Sequence, residues 1–96
     1  MDVLVTYDIR TADTAGERRL ARVATVCERY GTRVQYSVFE CRVSDVTLVR
    51  LFGELEDVID PLEDSVHVYR MSGTITASRT TLGRPPVRRL GQPWII

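Results

Sequence analysis

Hydrophobic and polar positions along the chain fall into short blocks with two different periods. In residues 1–9, Val3, Val5 and Tyr7 take the odd positions and Leu4, Thr6 and Asp8 the even ones. Such a run predicts a largely buried strand with a polar exit. A loop over 10–15 follows, and Thr14 with Glu17 has the spacing of a capping box. From there to Tyr30 the apolar residues Leu20, Val23, Ala24, Cys27 and Tyr30 recur at helical spacing, with Arg18, Arg22, Thr25 and Arg29 opposite. Gly31 is expected to end this helix in a left-handed conformation.

Residues 33–40 alternate strictly, Val34, Tyr36 and Val38 against Arg33, Gln35, Ser37 and Phe39, which predicts a second strand. Its continuation to Val43 begins a third strand unless the break falls a few residues earlier. Ser44 suits an N-cap, and Leu48, Leu51, Phe52, Leu55 and Ile59 form the stripe of a second helix that Asp60-Pro61 closes. Residues 66–71 alternate again as a final strand. This order of strand, helix, strand, strand, helix, strand specifies an α+β, ferredoxin-like antiparallel sheet with both helices on one face.

Residues 1–71 therefore form the domain. Residues 72–96 are rich in Gly, Pro, Thr and Arg, offer one further short strand near 78–82, and end in Trp94-Ile95-Ile96. An apolar end that cannot build its own core needs a surface, and we expect it to pack on a partner subunit.

At 96 residues the chain has room for one core, and a domain this small gains much from a partner. Apolar residues make up 44% and charged residues 27%, which excludes a disordered chain, and no run approaches the roughly 20 apolar residues of a membrane span. The start reads as a strand rather than a secretory leader. Cys27 and Cys41 lack metal-site spacing and read as reduced, buried thiols of a cytoplasmic protein.

Net charge is zero, so bulk charge gives nucleic-acid binding no support. Its distribution changes that picture: all 13 basic residues are Arg, seven of them from Arg10 to Arg42, while six carboxylates crowd between Glu54 and Asp64. Arg18, Arg19, Arg22 and Arg33 are candidates for phosphate contacts, against the plain alternative of a solvated helix face. Asp8, at a strand end, is either a turn residue or a site residue. It shares parity with Thr6. If Arg33, Gln35, Ser37 and Phe39 face the same way, the helix-free side of the sheet is polar, which suits a two-fold interface. Two facing Asp8 carboxylates would repel and either protonate or recruit a hard cation. Phe39 is a base-stacking residue or an interface anchor, Tyr7 reads as core before catalyst, and His67 as structural.

Several of these segments occur together in one family. Tyr7-Asp8-Ile9 after a strand, the Arg18-Arg19 pair, the run Gly31-Thr-Arg-Val-Gln-Tyr-Ser-Val-Phe-Glu40, Asp64-Ser-Val-His-Val-Tyr69 and Leu82-Gly83-Arg84 follow one another along nearly the whole chain. In this the chain resembles the Cas-two endoribonuclease family of CRISPR adaptation. The resemblance implies a ferredoxin-like homodimer with sheets face to face and C-terminal strands exchanged. It implies Asp8 as the catalytic residue and as ligand to a divalent cation, Mg²⁺ or Mn²⁺, shared by the two subunits. Arg18, Arg19 or Arg22, with Arg33, would contact nucleic acid, and Phe39 is the motif phenylalanine. Cleavage of single-stranded RNA or duplex DNA is implied, as is a heterohexamer with the companion integrase in spacer acquisition. A non-catalytic DNA-binding scaffold within that complex is the alternative.

Overall fold

The computed structural model describes residues 1–83. Its elements are β1 (Asp2–Asp8), α1 (Thr14–Tyr30), β2 (Gly31–Gln35), β3 (Val38–Arg42), α2 (Asp45–Val58), β4 (Ser65–Arg70) and a single helical turn, α3 (Ile75–Ser78). The four strands form one sheet in the order β2-β3-β1-β4, every pair antiparallel. This is the ferredoxin-like arrangement expected from the order of elements.

Alternation along β1 sends Val3, Val5 and Tyr7 to one face, where they are buried. There they meet Val23, Val26 and Cys27 of α1, Leu48, Leu51 and Leu55 of α2, and Phe39 and Cys41 of β3. Burial raises the thiol of Cys27 to about 12 and that of Cys41 to about 11, so both are poor nucleophiles in the native protein.

Two expectations at the ends of α1 need correction. The N-cap of α1 is Asp13, not Thr14: its Oδ1 accepts the Gly16 N–H at 2.8 Å, and Thr14 is the first helical residue. Asp and Thr both cap by a side-chain oxygen, Asp the better of the two, and the adjacent Asp13 takes the position. Gly31 is extended (φ −166°) rather than left-handed. A Cβ there would stand 2.2 Å from the Glu40 carbonyl oxygen and 2.7 Å from the Cys41 Cα, so glycine is needed for strand approach and not for helix termination. The break between the two hairpin strands falls at the earlier of the places left open: β2 ends at Gln35 and β3 begins at Val38, with Tyr36 and Ser37 at the turn.

The start of the C-terminal segment folds onto its own chain. Asp2 is buried, and its Oδ1 accepts Arg42 Nε at 2.9 Å while Oδ2 accepts the Ile75 N–H at 2.8 Å. The Met71 N–H donates to the Asp2 carbonyl at 3.0 Å, and Ile75 is itself buried. Residues 79–83 hold no strand, in place of the one expected near 78–82. The remainder of the tail, with the expected exchange between subunits, lies outside the described residues.

Arg42, and then the Ile75 N–H, hold the Asp2 carboxyl below the ordinary 3.8. Its native pKa is thus lower than its unfolded one. Its contribution is fully present above the unfolded value and is lost as pH falls through the native value. In an acid titration followed by NMR, the Ile75 amide resonance should stay put at neutral pH and shift with a midpoint below 3.8. A midpoint at or above that value would remove Asp2 from this role.

Candidate metal and nucleic-acid site

Which side chains share a face is settled by the strand register. In an antiparallel pair, residues directly opposite point the same way. Val5 pairs with Phe39 and Thr6 with Val38 across β1–β3, while Leu4 pairs with Tyr69, Thr6 with His67 and Asp8 with Ser65 across β1–β4. The helix-free face therefore holds Asp2, Leu4, Thr6 and Asp8 of β1, Val38, Glu40 and Arg42 of β3, and Ser65, His67 and Tyr69 of β4. The rings of His67 and Tyr69 lie parallel at 6.1 Å, and Tyr69 is half exposed. This face is mixed, with apolar residues near its middle, rather than polar throughout as the parity argument implied.

Asp8 stands on that face at the end of β1, exposed, and its carboxylate has no hydrogen bond or ion pair among the described residues. The expected grouping with Arg33 and Phe39 does not occur. Phe39 points with Val5 into the core and is fully buried, and Arg33, its partner across β2–β3, points the same way. A bulge between Arg33 and Gln35 sends Gln35 to the other face, opposite Val38. Alternation places Arg33 and Phe39 on one face correctly but does not say which face of β1 they share, and the register of Phe39 with Val5 puts them on the side away from Asp8.

Tyr7 and Phe39 are thus core residues, their rings 6.2 Å apart, and neither is available for base stacking or as an interface anchor. The Tyr7 hydroxyl donates to the Tyr36 carbonyl at 3.4 Å, and burial raises its pKa. The Arg33 guanidinium lies 5.1 Å from the Phe39 ring centre and 5.7 Å from that of Tyr36, with Glu28 at 4.0 Å. Its Nε is buried without a partner. Arg33 is therefore held over two aromatic faces on the side of the sheet away from Asp8.

The three arginines of α1 are not equivalent. Arg18 and Arg22 are exposed and form no ion pair among the described residues. Arg19 is directed inward: its Nε donates to Asp64 Oδ2 at 2.7 Å and its Nη2 to Asp64 Oδ1 at 3.3 Å, the paired geometry of a guanidinium on a carboxylate. The Asp64 side chain is fully buried, and it also accepts the Arg10 N–H at 3.1 Å and the Asp60 N–H at 2.8 Å. Burial works against the charge of Asp64. Arg19 and the two backbone donors outweigh it and hold the carboxyl below its ordinary range.

Sequence reasoning missed Asp64, whose cation lies 45 residues away. A signal for Arg19 was present: it is four residues before Val23 and eight before Cys27, at the edge of the apolar stripe, whereas Arg18 and Arg22 lie four apart on the outer face. Among the described residues, no group of three or more His, Cys, Asp or Glu side chains is placed to hold a metal, and no helix is long and apolar enough to cross a membrane.

Comparison with known proteins places this geometry. The family model described as CRISPR associated protein Cas2 matches residues 1–76. The chain is 41% identical over 95 residues to a protein of Halalkalibacterium halodurans named CRISPR-associated endonuclease Cas2, covering 99% of each. It is 51% identical over 69 residues to one of Chlorobaculum tepidum named CRISPR-associated endoribonuclease Cas2, covering 72% of each. The crystal structure of Streptococcus pyogenes Cas2 superposes with a TM-score of 0.78 at 43% identity, over 86% of this chain and 100% of that one. On sequence and fold together, the chain belongs to the CRISPR-associated Cas2 family.

Proposed function

We propose that this protein is a metal-dependent endonuclease of CRISPR adaptation that works as a homodimer, the Asp8 carboxylates of two copies sharing one divalent cation. One observation carries the reading: Asp8 is an exposed carboxylate without a partner among the described residues, at the end of a strand whose own face is uncovered there. The endonuclease and endoribonuclease names of the relatives support the reaction class.

The donor chemistry fits. Carboxylate oxygens are hard ligands, suited to Mg²⁺ or Mn²⁺, which bind through one or two carboxylates with water and phosphate oxygens filling the remaining positions. One chain offers Asp8 as a lone carboxylate, with no group of three or more His, Cys, Asp or Glu among its described residues, and a second copy would bring the second carboxylate. Leu4, Val38 and Tyr69 on the same face give that copy an apolar surface to meet. When bound, the cation would polarise a phosphodiester oxygen and lower the pKa of a bound water. The chain itself orients the phosphodiester. Arg18 and Arg22, on the outer face of the helix that follows the Asp8 loop, can each take phosphate oxygens through two N–H groups.

Metal dependence tests this directly. Purified protein should cleave single-stranded RNA or duplex DNA when supplied with Mg²⁺ or Mn²⁺ and should stop when the metal is chelated. Undiminished cleavage in chelator would contradict a metal at Asp8.

The exposure of Arg18 and Arg22 also favours a second reading, a scaffold that grips duplex DNA within a complex with the companion CRISPR integrase. That role needs these arginines and not the cation.

A further inference from the structure

Asp8 makes no contact that would fix it, yet the backbone on which it stands is held from several sides. Upstream, β1 pairs with β4, and Asp8 is opposite Ser65. Two residues downstream, both polar backbone atoms of Arg10 are engaged: its N–H donates to Asp64 Oδ1 at 3.1 Å, and its carbonyl accepts Arg19 Nη2 at 3.5 Å. The Arg10 side chain meets Glu63 at 2.6 Å. Helix α1 presses on the same loop, since a Cβ on Gly16 would lie 1.9 Å from the Arg10 carbonyl oxygen and 3.1 Å from the Thr11 Cα. Asp64 in turn directly precedes β4 and caps the turn that begins at Asp60. One fully buried carboxylate thus ties α1, the exit of β1 and the entry of β4 together.

We propose that Arg19 and Asp64 form a buried bracket that positions the metal-binding Asp8, and that Arg19 is a positioning residue rather than a phosphate contact. The inference rests on the reading of Asp8 given above. Its physical basis is that an exposed aspartate on a free strand end samples many positions, whereas a shared cation requires two carboxylates held at a set separation. Misplacing a reacting group by about 1 Å can cost about 100-fold in rate. Arg19, with Nε and Nη2 on Asp64, has its fork committed, and the phosphate contacts of α1 fall to Arg18 and Arg22.

The experiment compares Arg19→Ala, Arg18→Ala, Arg22→Ala and Asp64→Asn in the full chain, using a duplex DNA and a single-stranded RNA oligomer. Arg19→Ala should lower turnover at saturating substrate by about 10-fold or more. It should leave the dissociation constant within about twofold and the salt dependence of binding unchanged. Arg18→Ala and Arg22→Ala should instead weaken binding and reduce the salt slope by about one contact each. Asp64→Asn should speed hydrogen exchange of the Arg10 amide by about 10-fold or more. That amide is read by NMR whether or not the protein cleaves, and it also serves if Arg19→Ala fails to fold. Wild-type protein that cleaves nothing would overturn the reading of Asp8 and leave the Arg10 amide and the duplex affinities to decide the bracket. The bracket is overturned if Arg19→Ala loses affinity and salt slope as Arg18→Ala does. It is equally overturned if Asp64→Asn leaves the Arg10 amide unchanged.

Discussion

Replacing Asp8 with Asn is expected to lower metal-dependent cleavage by about three orders of magnitude, since on the proposed reading its carboxylate holds the cation, which would supply several kcal/mol of transition-state stabilisation. Folding should be nearly unaffected. Asp8 is exposed and has no hydrogen bond or ion pair among the described residues, and substitutions at such positions stay within about 0.5 kcal/mol. Asn keeps the size and removes the repulsion between two facing carboxylates, so association of two copies should not weaken. Cleavage assays and a melting curve on the same preparations separate the two effects. The same variant divides the enzyme from the scaffold in cells. Acquisition of new spacers that survives Asp8→Asn but fails in Arg18→Ala combined with Arg22→Ala would assign the cellular role to DNA binding. Acquisition lost with Asp8→Asn would assign it to the nuclease.

The second large effect is on stability. Phe39→Ala is expected to destabilise the fold by about 3–5 kcal/mol, the cost of emptying a buried aromatic site. That is a large part of the roughly 5–15 kcal/mol that holds a domain together. Phe39 is fully buried at the centre of the sheet, opposite Val5, with the Tyr7 ring 6.2 Å away and the Arg33 guanidinium 5.1 Å from its own ring. Its removal takes away packing on one side and the aromatic face under a half-buried cation on the other. Thermal unfolding at fixed protein concentration should show a fall of more than about 10 °C. If Phe39→Ala instead kept its midpoint and lost affinity for RNA, the ring would be a stacking platform and the core assignment would be wrong.

Most of the fold was legible because it follows from short-range periodicity. The stripes of α1 and α2, the Ser44 cap and the alternation in β1 and β4 each depend on residues a few positions apart. What was not legible depends on breaks in that periodicity or on distant partners. The turn at Tyr36-Ser37 contains no Gly, Pro or Asn to mark it, and alternation of side chains runs through it unbroken. The bulge beside Gln35 then puts Gln35 on the face of Val38, while Arg33 keeps the face of Phe39. Arg33 and Phe39 lie away from Asp8 because Phe39 pairs with Val5 and not with Thr6, a register between β1 and β3 that alternation within one strand does not fix. Asp8 itself was legible as a polar residue at a strand exit. The bracket behind it was not, because a lone Asp before a strand and one Arg among three carry no mark of each other at a separation of 45 residues.

Counting the bound cation tests most directly whether two copies of Asp8 share one ion. Titration of metal-free protein with Mn²⁺, followed by electron paramagnetic resonance or calorimetry, should reach saturation at one ion per two chains, and that site should vanish in Asp8→Asn. One ion per chain, or a site that persists in Asp8→Asn, would contradict a shared ion.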